Sequence, residues 1–196
     1  MYKKQMTAQK FLCMAAIIVS AIFFLYTLGI MTDLYDSLYS TMRNPNDPTQ
    51  TTVPGSIIYY AMQGFNRALL MLSIGQILLA ALLFLTNTHS RRRYYIGNYV
   101  STALFAVFAV YNSVYAHTNI QEARRQFLQV DFAALKEHAE MWGTLYTEST
   151  FWFDAHYAVF GLLLAVSALL IANAVWKVKL MKDEAALVAE GRGSAG

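Results

Sequence analysis

Four stretches of this chain are long, apolar and nearly free of charge: residues 11–31, about 66–85, about 94–115 and about 157–176, interrupted only by Arg67. A hydrocarbon core of roughly 30 Å takes about 20 such residues as a helix. A soluble fold can hide one helix of this kind. It cannot hide four in 196 residues, because the polar chain that remains is too short to cover them. Charged residues make up 14%, against about 25% in an ordinary soluble domain, and the deficit falls in these stretches. Only a helix satisfies every backbone group within one such stretch. The expected fold class is therefore all-α: a polytopic membrane protein with a four-transmembrane-helix bundle over residues 1–182, an amphipathic helical outer loop, and a flexible cytoplasmic tail over 183–196. The same composition excludes intrinsic disorder, and a single cysteine excludes a disulfide scaffold.

Lysine and arginine set the orientation. Four spans put both termini on one side, together with the turn between the second and third spans. That side carries ten positive groups, among them Lys3, Lys4, Lys10, Arg91, Arg92 and Arg93, and three acids. The other side carries five positive groups and nine acids. The expectation is a multi-pass plasma-membrane protein with both termini cytoplasmic. Compactness and the lack of any N-x-[ST] acceptor suit a bacterial inner membrane. The net charge of +3 then reports topology, so no nucleic-acid partner is expected. Arg91, Arg92 and Arg93 read as a topology determinant, with anionic headgroups as the alternative ligand.

Aromatic residues flank the spans where headgroups would lie: Tyr59 and Tyr60, Tyr94 and Tyr95, Tyr115, Phe151 to Phe153 with Tyr157, and Trp176. The first span is too long for a typical signal-peptide core and no A-x-A site follows it, so it reads as a retained helix. Cys13 lies inside it and reads as a small buried residue.

Two outer loops remain, at about 32–56 and 116–150. In the first, Leu34, Leu38 and Met42 share a face of a short helix, and the prolines that follow predict irregular chain. In the second, Asn119 and Glu122 have capping-box spacing. Ile120, Ala123, Phe127, Ala134, His138, Trp142 and Leu145 then recur at helical spacing with a slip near Val130. One or two amphipathic helices are predicted, on the membrane surface, over the bundle or against a neighbouring subunit.

Chemistry, if present, gathers at the outer ends of the spans: Asp33 and Asp36, Arg67, His117, Asp154 and His156. In an antiparallel bundle these form one layer, open to a metal, an anionic substrate or protons. A ring of structural ion pairs, Arg67 with Asp154 or Asp33, accounts for the same residues, since charges at a wet interface need no function. A metal set would draw on His117, His138, Glu140, Asp154 and His156, but Asp154 and His156 lie about 200° apart on a helix. No metal or other cofactor is expected. Catalytic residues are unassigned, because Walker, G-x-S-x-G and G-x-G-x-x-G motifs are absent from the sequence.

Polar groups within the spans are mild: Ser73 and Gln76, Asn112 and Asn173. An amide in hydrocarbon seeks a partner, so these read as helix contacts. The fourth span carries small residues at Ala158, Gly161, Ala165, Ala168 and Ala172, a spacing that lets another helix approach closely. The leading expectation is an accessory or assembly subunit of a larger membrane complex, with the lipid bilayer and other membrane subunits, or further copies of itself, as partners. A homo-oligomeric channel or transporter with its pore between protomers is the alternative, and an enzyme or metal site at the outer rim is a third.

Overall fold

The computed structural model describes residues 2–33, 37–87 and 96–193. Leu34, Asp36, Arg91, Arg92, Arg93, Tyr94 and Tyr95 fall outside the described residues, as do the side chains of Asp33 and Leu38. In chain order the elements are α1 (Tyr2–Asp33), α2 (Ser37–Met42), β1 (Arg43–Asn44), β2 (Asp47–Thr51), α3 (Ile57–Asn87), α4 (Ile96–Phe127), α5 (Phe132–Trp142) and α6 (Phe151–Gly193). Helix accounts for 86% of the described residues, so the class is all-α despite the two-stranded ribbon. Four helices, α1, α3, α4 and α6, are long and apolar enough to cross a membrane. At 1.5 Å per residue the 31 residues of α3 reach about 46 Å. That exceeds the roughly 30 Å of a hydrocarbon core, so each is long enough to span one with length to spare.

Three boundaries differ from the sequence reading. First, α4 does not restart at Asn119. It runs on to Phe127, with Asn119 Nδ2 donating to the Tyr115 carbonyl at 2.7 Å. The stretch 116–127 contains neither glycine nor proline, and Ala116, Ile120, Ala123 and Phe127 are buried along one side. Second, the proline-rich part of the first outer loop forms an antiparallel hairpin, with Arg43 opposite Thr51 and Asn44 opposite Asp47. Pro45 and Asn46 make the turn, where Asn46 N–H donates to Asn44 Oδ1 at 3.0 Å. Third, α6 continues to Gly193, through the stretch read as a tail. Residues 177–190 hold strong helix formers and no breaker, so the helix propagates.

The chain forms two compact units. One, here the terminal unit, comprises Met1–Ser20, Gln76–Val110 and Leu162–Gly196. The other, the loop unit, comprises Ala21–Gly75 and Tyr111–Gly161.

The loop unit is built on aromatic rings. Phe127 is fully buried, with ring centroids of Phe153 at 5.1 Å, Phe132 at 5.2 Å and Tyr59 at 6.3 Å. Phe23 meets Phe160 edge-on at 4.9 Å, and Tyr26 donates its hydroxyl proton to the Trp152 carbonyl at 3.0 Å. Gly29 packs so closely on Trp152 that a β-carbon there would overlap the indole. The break near Val130 falls where the periodicity slips. Asp131 caps α5 by accepting from the N–H groups of Ala133 and Ala134.

Gly55 ties the first outer loop to this turn. Its φ is +79°, and a β-carbon would press on the Gln129 carbonyl, while Asp131 N–H donates to the Pro54 carbonyl at 3.1 Å. Gly143 also has positive φ, at +61°, but no neighbour within 4 Å of a would-be β-carbon. Gly143→Ala is therefore expected to cost only the backbone term of about 1–2 kcal/mol. Gly55→Ala is expected to cost that plus the clash. Thermal unfolding of both variants checks this; equal losses would mean the Gly55–Gln129 contact relaxes freely.

Candidate functional site

The outer-layer candidates that can be placed lie in the loop unit. Nδ1 of His117 on α4 is 3.1 Å from Nε2 of His156 on α6. His156 is buried, and its Nδ1–H donates to the Phe153 carbonyl one turn back. With His156 neutral, that bond leaves Nε2 as the acceptor, and His117 then donates through Nδ1. Tyr157 lies edge-on to His117 at 5.7 Å, and its hydroxyl accepts from Gln121 Nε2 at 2.7 Å.

Asp154 pairs with Arg124, at 3.3 Å from Nε, and accepts from the Thr150 hydroxyl at 2.8 Å. Arg67 is exposed and makes no ion pair among the described residues. The reason lies in α4. Because the helix does not break at Asn119, Arg124 stands two turns beyond His117 on the same face, toward the start of α6. Both groups of this ion pair are substantially exposed, so it contributes little stability.

The remaining candidates are engaged elsewhere or dispersed. His138 Nε2 lies 3.0 Å from the Thr41 hydroxyl and its ring is 6.0 Å from that of Trp142. Glu140 is exposed on α5. Among the described residues no three His, Cys, Asp or Glu side chains are gathered as a metal would need. Asp33 and Asp36 carry no described side chain.

Ser73 and Asn112 are buried in the loop unit, where the Ser73 hydroxyl is 3.3 Å from that of Thr27 on α1. Gln76 is buried in the terminal unit.

The terminal unit also holds a connected polar network. Asn173 on α6 donates to Gln9 Oε1 on α1. Gln9 Nε2 donates to Asn87 Oδ1 on α3 at 3.1 Å, and Asn87 Nδ2 donates to the Ser101 hydroxyl on α4 at 3.0 Å. One hydrogen-bond chain thus crosses all four helical segments of this unit. Lys177 is buried beside it, with Nζ 5.9 Å from the centre of the Tyr99 ring. With the Asn98 amide oriented to satisfy both its ends, Lys177 donates to Asn98 Oδ1 at 2.8 Å. Gln5 is buried one turn before Gln9, and neither of its amide atoms has a partner among the described residues.

Of this network, sequence reasoning singled out Asn173 alone. A signal for Lys177 existed: it follows the buried Leu163 and Leu170 at steps of seven, which keeps it on their face. Gln5 and Gln9, four apart, share a face in the same way.

Removing Gln9 strands two buried partners at once. Gln9→Met is expected to lower stability by about 1–3 kcal/mol, more than the roughly 0.6 kcal/mol of a single interhelical bond in a membrane. Thermal unfolding in detergent measures this. A loss no larger than the single-bond value would show that Asn87 and Asn173 find substitutes.

The small-residue stripe of α6 faces away from the protein's own core. Ala158, Gly161, Ala165, Ala168 and Ala172 are all exposed, and nothing lies within 4 Å of a β-carbon built on Gly161. At about 100° per residue the stripe sits opposite the buried line of Leu163, Val166, Leu170 and Asn173. Bulky residues flank the stripe on α6, where Tyr157, Leu162, Leu164, Leu169 and Val175 are exposed, and the outward faces of the other long helices carry bulk as well: Phe11, Ile18 and Leu25 on α1, Met71, Leu78 and Leu85 on α3, Val107, Tyr111 and Val114 on α4. Leu104, Phe108, Tyr111 and Tyr115 on α4 are likewise exposed or half-buried.

The far end of α6 is also uncovered. Residues 182–190 are all exposed, with Leu187 at 69% and Val188 at 51%. Comparison with protein families, with curated proteins and with solved structures gives no match for this chain.

Proposed function

We propose that this chain is a small accessory or assembly subunit of a membrane complex, and that it binds a transmembrane helix of a partner chain along the outward face of α6. The observation that carries this reading is the line of small residues on the outward face of α6. All four long helices present bulky apolar side chains outward, as suits fluid lipid, and α6 adds among its own an unbroken line of five Ala and Gly residues. Small residues weaken contact with mobile acyl chains and permit close backbone approach by a second helix, where dispersion accumulates.

The projecting end of α6 supports the same reading. A helical stretch without tertiary packing is marginal in water. The end of α6, with Leu187 and Val188 uncovered, gains stability by docking on another chain. Outer-loop contacts extend the interface in this reading: Met141 is 73% exposed and Leu145 is 92% exposed, outside the spans read from sequence.

Site-specific photo-crosslinking tests the assignment. A photoreactive residue replacing Ala168 is expected to give a discrete protein adduct in native membranes, and the same residue replacing Leu78 on α3 is expected to label lipid. Equal lipid labelling at both positions, or an adduct of twice this chain's mass, would contradict the accessory role.

A further inference from the structure

We infer that the terminal unit binds one anionic glycerophospholipid in a groove between α4 and α6. The groove has two stretches, of about 420 and 520 Å³, that share Tyr99 and Val178 and so run into one another. Its inner stretch is apolar, lined by Ala103, Ala106 and Ala174 together with Val107 and Ile171. Small residues there leave room for a methylene chain, which the flanking branched side chains hold at its sides. The outer stretch passes Met181 and ends at Lys182 and Ala185. Among the described residues Lys182 is the single charged one in the lining, and it is exposed.

Depth identifies the occupant. The fourth span read from sequence ends at Trp176, and Lys182 lies about 9 Å further along α6, a distance from which its flexible stem reaches back to the headgroup layer. A chain lying along the groove would therefore place its phosphate beside Lys182. Lys179 lies nearby on the same exposed end of α6, and Asp183 and Glu184 point about 100° and 200° away from Lys182 around the helix. The reading that both termini are cytoplasmic puts this end in the leaflet rich in anionic lipid. The inference is independent of the partner face, which lies on another side of α6.

The test uses the full-length protein in nanodiscs of phosphatidylcholine with or without phosphatidylglycerol, followed by native mass spectrometry and thermal unfolding. One phosphatidylglycerol is expected to stay bound and raise the melting temperature, with phosphatidylcholine not retained. Ala103→Leu and Ala174→Leu are each expected to expel it. Ala103 is exposed, so its variant folds even if Ala174→Leu does not, and unfolding in pure phosphatidylcholine verifies this. Lys182→Gln is expected to weaken retention about fivefold. Equal retention of both lipids, or retention unchanged in Ala103→Leu, would overturn the inference in favour of annular lipid. Stabilisation by soluble glycerol phosphate as large as that by phosphatidylglycerol would overturn it in favour of a free-anion site.

Discussion

Phe127→Ala is expected to destabilise the loop unit by about 3–5 kcal/mol, the range for emptying a well-packed aromatic site. Phe127 is fully buried and its ring touches one ring from each of three helices: Tyr59 on α3, Phe132 on α5 and Phe153 on α6. Each aromatic pair adds about 0.5–1.5 kcal/mol beyond burial. These neighbours belong to different elements and cannot close the space together without moving the α4–α5 turn. Neighbouring Leu128 is 56% exposed, so Leu128→Ala is expected to cost no more than about 0.5 kcal/mol. Chemical denaturation in detergent, followed by the fluorescence of Trp142 and Trp152, measures both. Similar losses for the two variants would mean that Phe127 does not organise this core.

The second large effect concerns association and leaves the fold intact. Gly161→Leu combined with Ala165→Leu is expected to release the partner chain entirely, with the melting temperature of the isolated protein unchanged. Both positions are exposed and face away from the core, and no atom lies near a β-carbon on Gly161. Two leucines there would hold a second helix backbone away and remove the close approach on which the contact depends. Gel filtration with and without the substitutions reads the release. A complex that survives the double variant would move the interface to another surface.

How legible these features were in the sequence follows from what each depends on. The four spans depend on length and apolar content, which are local, so all four emerged. The break at Val130 emerged because a slip in helical period is visible residue by residue. The continuation of α4 past Asn119 did not. A capping residue signals a start only when the preceding turn is free to end, and here Ala116, Ile120 and Ala123 bury a continuous side. Arg124 was missed as the partner of Asp154 for the same reason, since its position depends on α4 remaining unbroken. The hairpin was hidden by prolines, which break regular structure in general yet fit a turn at Pro45.

The stripe on α6 was legible as a stripe, but its direction was not. Spacing shows that five small residues share a face. Whether that face turns inward depends on what the opposite face offers, and Leu163, Val166 and Leu170 provide the bulk that the core requires. The network through Gln9 lies at a further remove. It needs Asn173, Asn87 and Ser101 to arrive from three other helices, and no spacing within α1 reveals them.

The measurement that bears most directly on the accessory role is the mass of the complex extracted gently from its native membrane, with every chain in it identified. The account predicts this chain in fixed stoichiometry with at least one different membrane protein, which is lost from the Gly161→Leu, Ala165→Leu variant. A single species at 22.1 kDa or a whole-number multiple of it would contradict the account and point to a protein that works alone or with copies of itself.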